Sequence, residues 1–284
     1  MRVITTLLAC LPLAAAAQNF HFAARLGIAN YQGDLQAKSV TFNQAKFLGS
    51  LGAMYDLSEH FTARTYFTLT SLQGDDKKGT TAMKMRNLNF QTKLWDIELG
   101  AQYNILSLND SWWTPYIFAG IGLYHFNPFT HTSAGDKTYL QPLSTEGEGF
   151  EPGKKEYKLT QFNIPLGVGA TYAISEDIRV GLELGYRKLF TDYLDDVSTT
   201  YADQGALLAA KGQTAVDLAY RGNEVGAGGY PAAKTNRGGS NVKDGYYYMA
   251  LTVTVRGFID QYKRIAGLPA YNRDKKVGCP ATRF

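Results

Sequence analysis

Ile178-Arg-Val-Gly-Leu-Glu-Leu-Gly-Tyr-Arg187 alternates faces without a break. Successive side chains of a strand take opposite faces, so Ile178, Val180, Leu182, Leu184 and Tyr186 point one way and Arg179, Gly181, Glu183, Gly185 and Arg187 the other. Two folds accommodate such a ribbon. A soluble sandwich buries the apolar side in a protein core and leaves the charge in water; a membrane barrel turns the apolar side to lipid and the charge to the lumen.

The remainder of the chain decides between them. Among 284 residues, 45% are hydrophobic and 13% aromatic, and 29 Gly stand against 9 Pro. A mean hydropathy of -0.23 and the lack of an apolar run of about 20 residues after the N-terminus exclude a helical membrane protein. They leave a barrel open, because alternation averages strand hydropathy towards zero. The net charge of +4, from 29 basic and 25 acidic residues, is spread along the chain. With no dense basic patch, nucleic acid is not an expected partner.

The first residues read as an export signal, 1–17: Arg2, then the apolar stretch from Val3 to Leu13, then Ala15-Ala16-Ala17 before Gln18 as an A-x-A-type cleavage site. A competing detail is Leu7-Leu8-Ala9-Cys10, which resembles a lipoprotein acylation box behind a very short apolar stretch. Cleavage after Ala17 removes Cys10 and leaves Cys279 as the one mature cysteine. A single thiol in an exported protein is either an inert terminal group or a free sulfur available for an intermolecular disulfide.

Period-2 alternation predicts eight strands: Phe20 to Asn30, Phe47 to Leu57, Phe61 to Ser71, Asn89 to Tyr103, Tyr116 to Phe126, Leu159 to Ile174, Ile178 to Arg187 and Tyr247 to Val255. The fifth is apolar on both sides, so its facing stays open. Connections after strands two and six are very short and that after strand four is modest; those after one, three, five and seven are long. Sorting of this kind marks an outer-membrane barrel, and the strands have the roughly 9 to 11 residues a tilted crossing needs. The expected fold is therefore all-β: an eight-stranded antiparallel transmembrane outer-membrane β-barrel over 18–258, with both ends in the periplasm and a periplasmic C-terminal tail, 259–284. The loop from about Thr191 to Gly245 reads as a flexible outer excursion with a short helix near Tyr201 to Lys211.

The expected lumen set is Arg25, Arg64, Asp96, Glu98, Arg179, Glu183, Arg187 and Arg256. An eight-stranded barrel is just wide enough for side chains to fill, and buried ions need partners, so a plugged, ion-paired core is the first reading and a narrow diffusion pore the second. A lipid A-modifying enzyme needs a nucleophile, a base and an orienting group. The best set for that is His125 and His131 with Ser133 and Asp136. Asp192, Asp195 and Asp196 could hold a hard cation, although the run lacks the Gly and terminal Glu of an EF-hand loop and suits turn-making as well. No Cys/His cluster suggests zinc. The Gly-rich runs Gly120-Ile-Gly122 and Gly167-Val-Gly169 sit within strands, where they let bulky lumen side chains fit. No cofactor is expected.

Several motifs together resemble the PorG-type outer-membrane barrels of Bacteroidetes: Tyr31-Gln-Gly-Asp-Leu35, Arg86-Asn-Leu-Asn-Phe90, Pro115-Tyr-Ile-Phe-Ala-Gly-Ile-Gly122, Leu140-Gln-Pro-Leu-Ser-Thr-Glu-Gly147 and Thr191-Asp-Tyr-Leu-Asp-Asp-Val-Ser198. The resemblance runs from about residue 20 to 258. It implies a non-catalytic place in the type IX secretion system, anchoring a periplasmic ring built by a lipoprotein of PorK/GldK type and its PorN/GldN-type partner. A plugged barrel acts through its ends, and the tail carries Tyr262, Lys263, Arg264, Tyr271, Arg273, Lys275 and Lys276, a basic and aromatic mix suited to docking a protein. Cys279 could lock that contact covalently; a solvated basic tail is the plainer alternative.

Overall fold

The computed structural model describes residues 20–256 apart from 39, 109, 176 and 240–242. The expected export signal, residues 18 and 19, and the tail with its docking residues and Cys279 lie outside the described residues. Ten strands follow in order: β1 (Phe20–Gln32), β2 (Lys46–Asp56), β3 (Phe61–Asp75), β4 (Asn89–Asn104), β5 (Trp113–His125), β6 (Pro128–His131), β7 (Lys137–Tyr139), β8 (Thr160–Ala173), β9 (Ile178–Leu189) and β10 (Gly245–Arg256). Eight of them, all but β6 and β7, pair antiparallel in a ring that closes through β3 with β4. A closed ring has no free edge, which is what a sheet needs where no water can satisfy its backbone. The short β6–β7 hairpin was not anticipated; it continues from the outer end of β4, Phe129 opposite Gln91.

Side-chain facing follows the alternation. Leu51 is 72% exposed and its neighbour Ser50 5%; Leu26, Leu99, Ile121, Phe162 and Leu251 repeat the outward pattern around the ring. An apolar belt of that extent suits lipid, not water. On β5, whose facing the sequence left open, Tyr116, Phe118 and Tyr124 point inward and Ile117 and Ile121 outward. Aromatic side chains gather near the short-turn end: Phe61 packs on Tyr103 at 5.0 Å, and Trp113 sits opposite Tyr172 across β5 and β8. Such rings belong at a membrane interface.

The connections 57–60, 105–112 and 174–177 lie at the end that holds both described termini; 33–45, 76–88, 126–159 and 190–244 lie at the other. The longest of these is not the flexible excursion its Ala and Gly content predicts. It carries α2 (Gln204–Lys211) and α3 (Gln213–Ala219), following α1 (Thr81–Arg86) in an earlier loop. The Asp203 side chain accepts from the Ala206 amide at 2.9 Å, so α2 starts at that cap, later than Tyr201. Small residues are what make the loop compact: Ala202, Ala215 and Ala219 pack with Leu207 and Val216 in a core of their own. Leu194, Val197 and Leu218 join the main core above the barrel.

Candidate functional site: a filled lumen beneath an ordered cap

Midway along the barrel, three arginines and three carboxylates from four strands meet in the lumen. Arg25 reaches Glu183 at 2.7 Å and Glu98 at 3.2 Å. Arg64 reaches Glu98 at 2.8 Å and Glu183 at 2.9 Å. Arg187 lies 2.6 Å from Glu98 and 3.5 Å from Asp96, which also accepts from the Asn163 amide. All six are buried. Charges taken out of water hold only where opposite charges and hydrogen bonds surround them, and here every one of the six has at least one opposite partner within 4 Å. Hydroxyls add to the pairing at Glu183: Tyr248 donates to it at 2.6 Å and Tyr116 at 2.9 Å.

Aromatic rings fill the space between the ions. The Arg25 guanidinium lies 3.6 Å from the Tyr66 ring centroid and that of Arg64 3.9 Å from Phe118. These rings fit because the neighbouring strand offers glycine. A β-carbon at Gly169 would stand 2.3 Å from the Tyr116 ring and one at Gly167 2.7 Å from Phe118. Arg179 and Arg256 stand apart from this layer, near the short-turn end. Arg179 is 3.7 Å from Asp56, which takes a 2.7 Å hydrogen bond with His21; Arg256 is buried and its amide donates to the Asp177 carbonyl.

Above the lumen, four of the stretches singled out in the sequence come together. Glu146 accepts from the amides of Ser198 and Thr199 at 2.9 and 2.8 Å, from the Thr199 hydroxyl at 2.6 Å, and from Arg237 at 3.1 Å. Arg237 also donates to the Asp196 and Ala219 carbonyls, tying the end of α3 to the loop's turn. Arg86 holds Asp76 through two bonds of 2.8 Å and reaches the carbonyls of Asp34 and Arg237. The Tyr31 hydroxyl donates to Asp195.

The aspartates considered for a cation are each engaged by separate donors. Ser198 serves Asp192 at 2.8 Å, Tyr31 and the Val197 amide serve Asp195, and Thr145 and Tyr157 serve Asp196 at 2.6 and 2.7 Å. No group of carboxylates among the described residues is arranged to hold a metal. Burial raises their affinity for protons: Asp192 and Asp196 are pushed up to about 6, and Glu148, also pressed by Asp196 and Glu146, to about 7. Asp195 and Asp244 are driven well above the ordinary carboxylate range for the same reason.

The histidine set considered for catalysis is dispersed. His125 bonds to the Thr160 hydroxyl at 2.9 Å and stacks on Trp95, His131 packs edge-on to Phe129, and Ser133 and Asp136 sit in the exposed turn between β6 and β7.

Residues 3–221 match the model of the outer membrane protein beta-barrel domain. The chain belongs to that family. This outer-membrane barrel is similar in shape to several solved structures. Neisserial surface protein A is 13% identical, with 84% of this chain and 97% of that one covered and a TM-score of 0.41. OprG of Pseudomonas aeruginosa is 11% identical over 84% and 95%, TM-score 0.40. Ail of Yersinia pestis, in complex with the heparin analogue sucrose octasulfate, is 9% identical over 83% and 99%, TM-score 0.38. No curated protein matches the chain.

The sequence reading placed Tyr248 on the lumen face but missed Tyr66, Tyr116 and Phe118 as lumen filling, since aromatic residues at alternating positions look equally suited to either face. The signal was in the partner strands, whose inward glycines must face something large.

Proposed function

We propose that this outer-membrane barrel is a non-catalytic structural component of the type IX secretion system, anchoring or positioning a periplasmic ring made by a lipoprotein of PorK/GldK type and its PorN/GldN-type partner. The observation that carries the proposal is the filled lumen: Arg25, Arg64 and Arg187 cross it, paired and buried. A barrel blocked in this way contributes through its two ends. The motifs of residues 31–35, 86–90, 140–147 and 191–198 carry the resemblance to PorG-type barrels, and residues from all four meet in one cap. At the periplasmic end, Tyr262, Lys263, Arg264, Tyr271, Arg273, Lys275 and Lys276 are the residues proposed to dock the ring, with Cys279 able to form a mixed disulfide.

The experiment is gentle detergent extraction of the tagged, full-length protein, with cross-linking and identification of what accompanies it. A ring lipoprotein is expected; recovery of the free monomer alone overturns the proposal. Non-reducing gels test the covalent contact separately, through a heavier band that Cys279→Ser removes.

A further inference from the structure

On the lipid-facing side of β1 to β4, below the overhanging β6–β7 hairpin, lies a groove of about 1160 Å³. Its lower walls are apolar: Leu26, Leu51, Phe67 and Leu69, with Trp95 stacked on His125 at 5.7 Å. Its rim is cationic. Lys46, Lys93 and Lys137 line it, the lining includes no carboxylate, and none of the three joins an ion pair among the described residues. Lys137 is held in place from below, its ammonium 4.0 Å from the Phe129 ring centroid and 3.1 Å from the Tyr139 hydroxyl.

We propose that this groove binds a phosphorylated glycolipid of the lipid A type from the outer leaflet. The lysines belong to the long-loop end, which faces outward in such barrels, so they stand at the level of outer-leaflet headgroups. Three ammonium groups with no carboxylate partner among the described residues, above an apolar wall, call for an anionic headgroup that carries acyl chains, and a neutral lipid leaves them unmatched. Width selects further. Leu26, Leu51, Leu69 and Trp95 come from four successive strands, and three interstrand spacings of about 4.8 Å make roughly 14 Å, room for several chains side by side and more than a two-chain phospholipid fills.

The full-length barrel, purified in detergent, is incubated with lipid A, with the same lipid A enzymatically dephosphorylated, and with phosphatidylglycerol, and retained lipid is read by native mass spectrometry. Lipid A is expected to be retained about tenfold better than either, and the combined substitution Lys46→Gln, Lys93→Gln and Lys137→Gln to abolish that preference while heat-modifiable gel migration stays unchanged. Equal retention of the dephosphorylated lipid, or of phosphatidylglycerol, overturns the assignment; so does a folded triple variant that keeps the preference. If the triple variant fails to assemble, the comparison of lipids on the parent protein still decides.

Discussion

Tyr248 on β10 lies over Gly185 on β9, its register partner, so closely that a β-carbon at Gly185 would stand 2.3 Å from the ring. The ring has no freedom to retreat, because its hydroxyl donates to Glu183 and receives from Arg25 at 2.8 Å. Gly185→Leu therefore removes the site of the ring, not merely a flexible backbone. Forced overpacking costs about 1–3 kcal/mol or more, and here it also displaces a donor to Glu183. The expected result is loss of the heat-modifiable, folded band on unheated gels. Gly185→Leu combined with Tyr248→Ala should recover part of it, which a general effect of leucine at that position would not allow.

Glu183 accepts from two arginines and two tyrosines, more partners than any other lumen carboxylate. Glu183→Leu leaves the buried Arg25 and Arg64 short of an anion in a space that side chains fill. Breaking a buried pair from one side costs about 3–5 kcal/mol, so the urea midpoint of the reconstituted barrel should fall steeply. Arg179→Gln, whose partner Asp56 is 3.7 Å away and partly exposed, should shift the midpoint by a few tenths of that. Equal effects would refute the layered arrangement of the lumen.

The eight strands and the belt of outward leucines were legible because alternation is a local property: one residue's facing predicts the next. Arg25, Arg64, Asp96, Glu98, Glu183 and Arg187 could be assigned to the lumen for the same reason, but not their partners, since Arg25 and Glu183 are brought together by the closure of β1 onto β10 and β10 onto β9. Arg179 and Arg256 had the right facing and a different depth, which alternation does not encode. The cap was least legible. Glu146 is satisfied by Ser198, Thr199 and Arg237 from a loop far along the chain, and nothing in the local composition of 190–244 distinguishes a packed loop from a solvated one.

A lumen crossed by three guanidinium groups should not conduct. In planar bilayers the folded barrel is expected to be silent, and Arg25→Ser with Arg64→Ser to introduce measurable single-channel steps, because each change removes a long side chain from the same layer that Tyr66 and Phe118 flank. Steady conductance by the parent protein would favour the diffusion-pore reading.

The cap should loosen as pH rises. Glu148 is buried, one carboxylate oxygen taking the Glu146 amide at 3.0 Å and the other without a partner among the described residues. Burial and its acidic neighbours lift it from an ordinary 4.5 to about 7, and Asp192 and Asp196 from 3.8 to about 6. A folded-state value above the unfolded one means that the folded cap binds more protons in between. The stability these groups lend is thus complete below the unfolded values and is lost as pH climbs through about 6 and 7. For Glu148 the loss is on the order of 3 kcal/mol. Limited proteolysis within 126–159 and 190–244, corrected with an unfolded substrate for the protease's own pH dependence, should be faster at about pH 8 than at about pH 5. Glu148→Gln keeps the shape and removes that group's titration, so it should reduce the difference and leave the part that Asp192 and Asp196 contribute. Nicking that is equally slow at both pH values in the parent protein would show that these carboxylates share their charge with donors well enough to stay ionised in the fold.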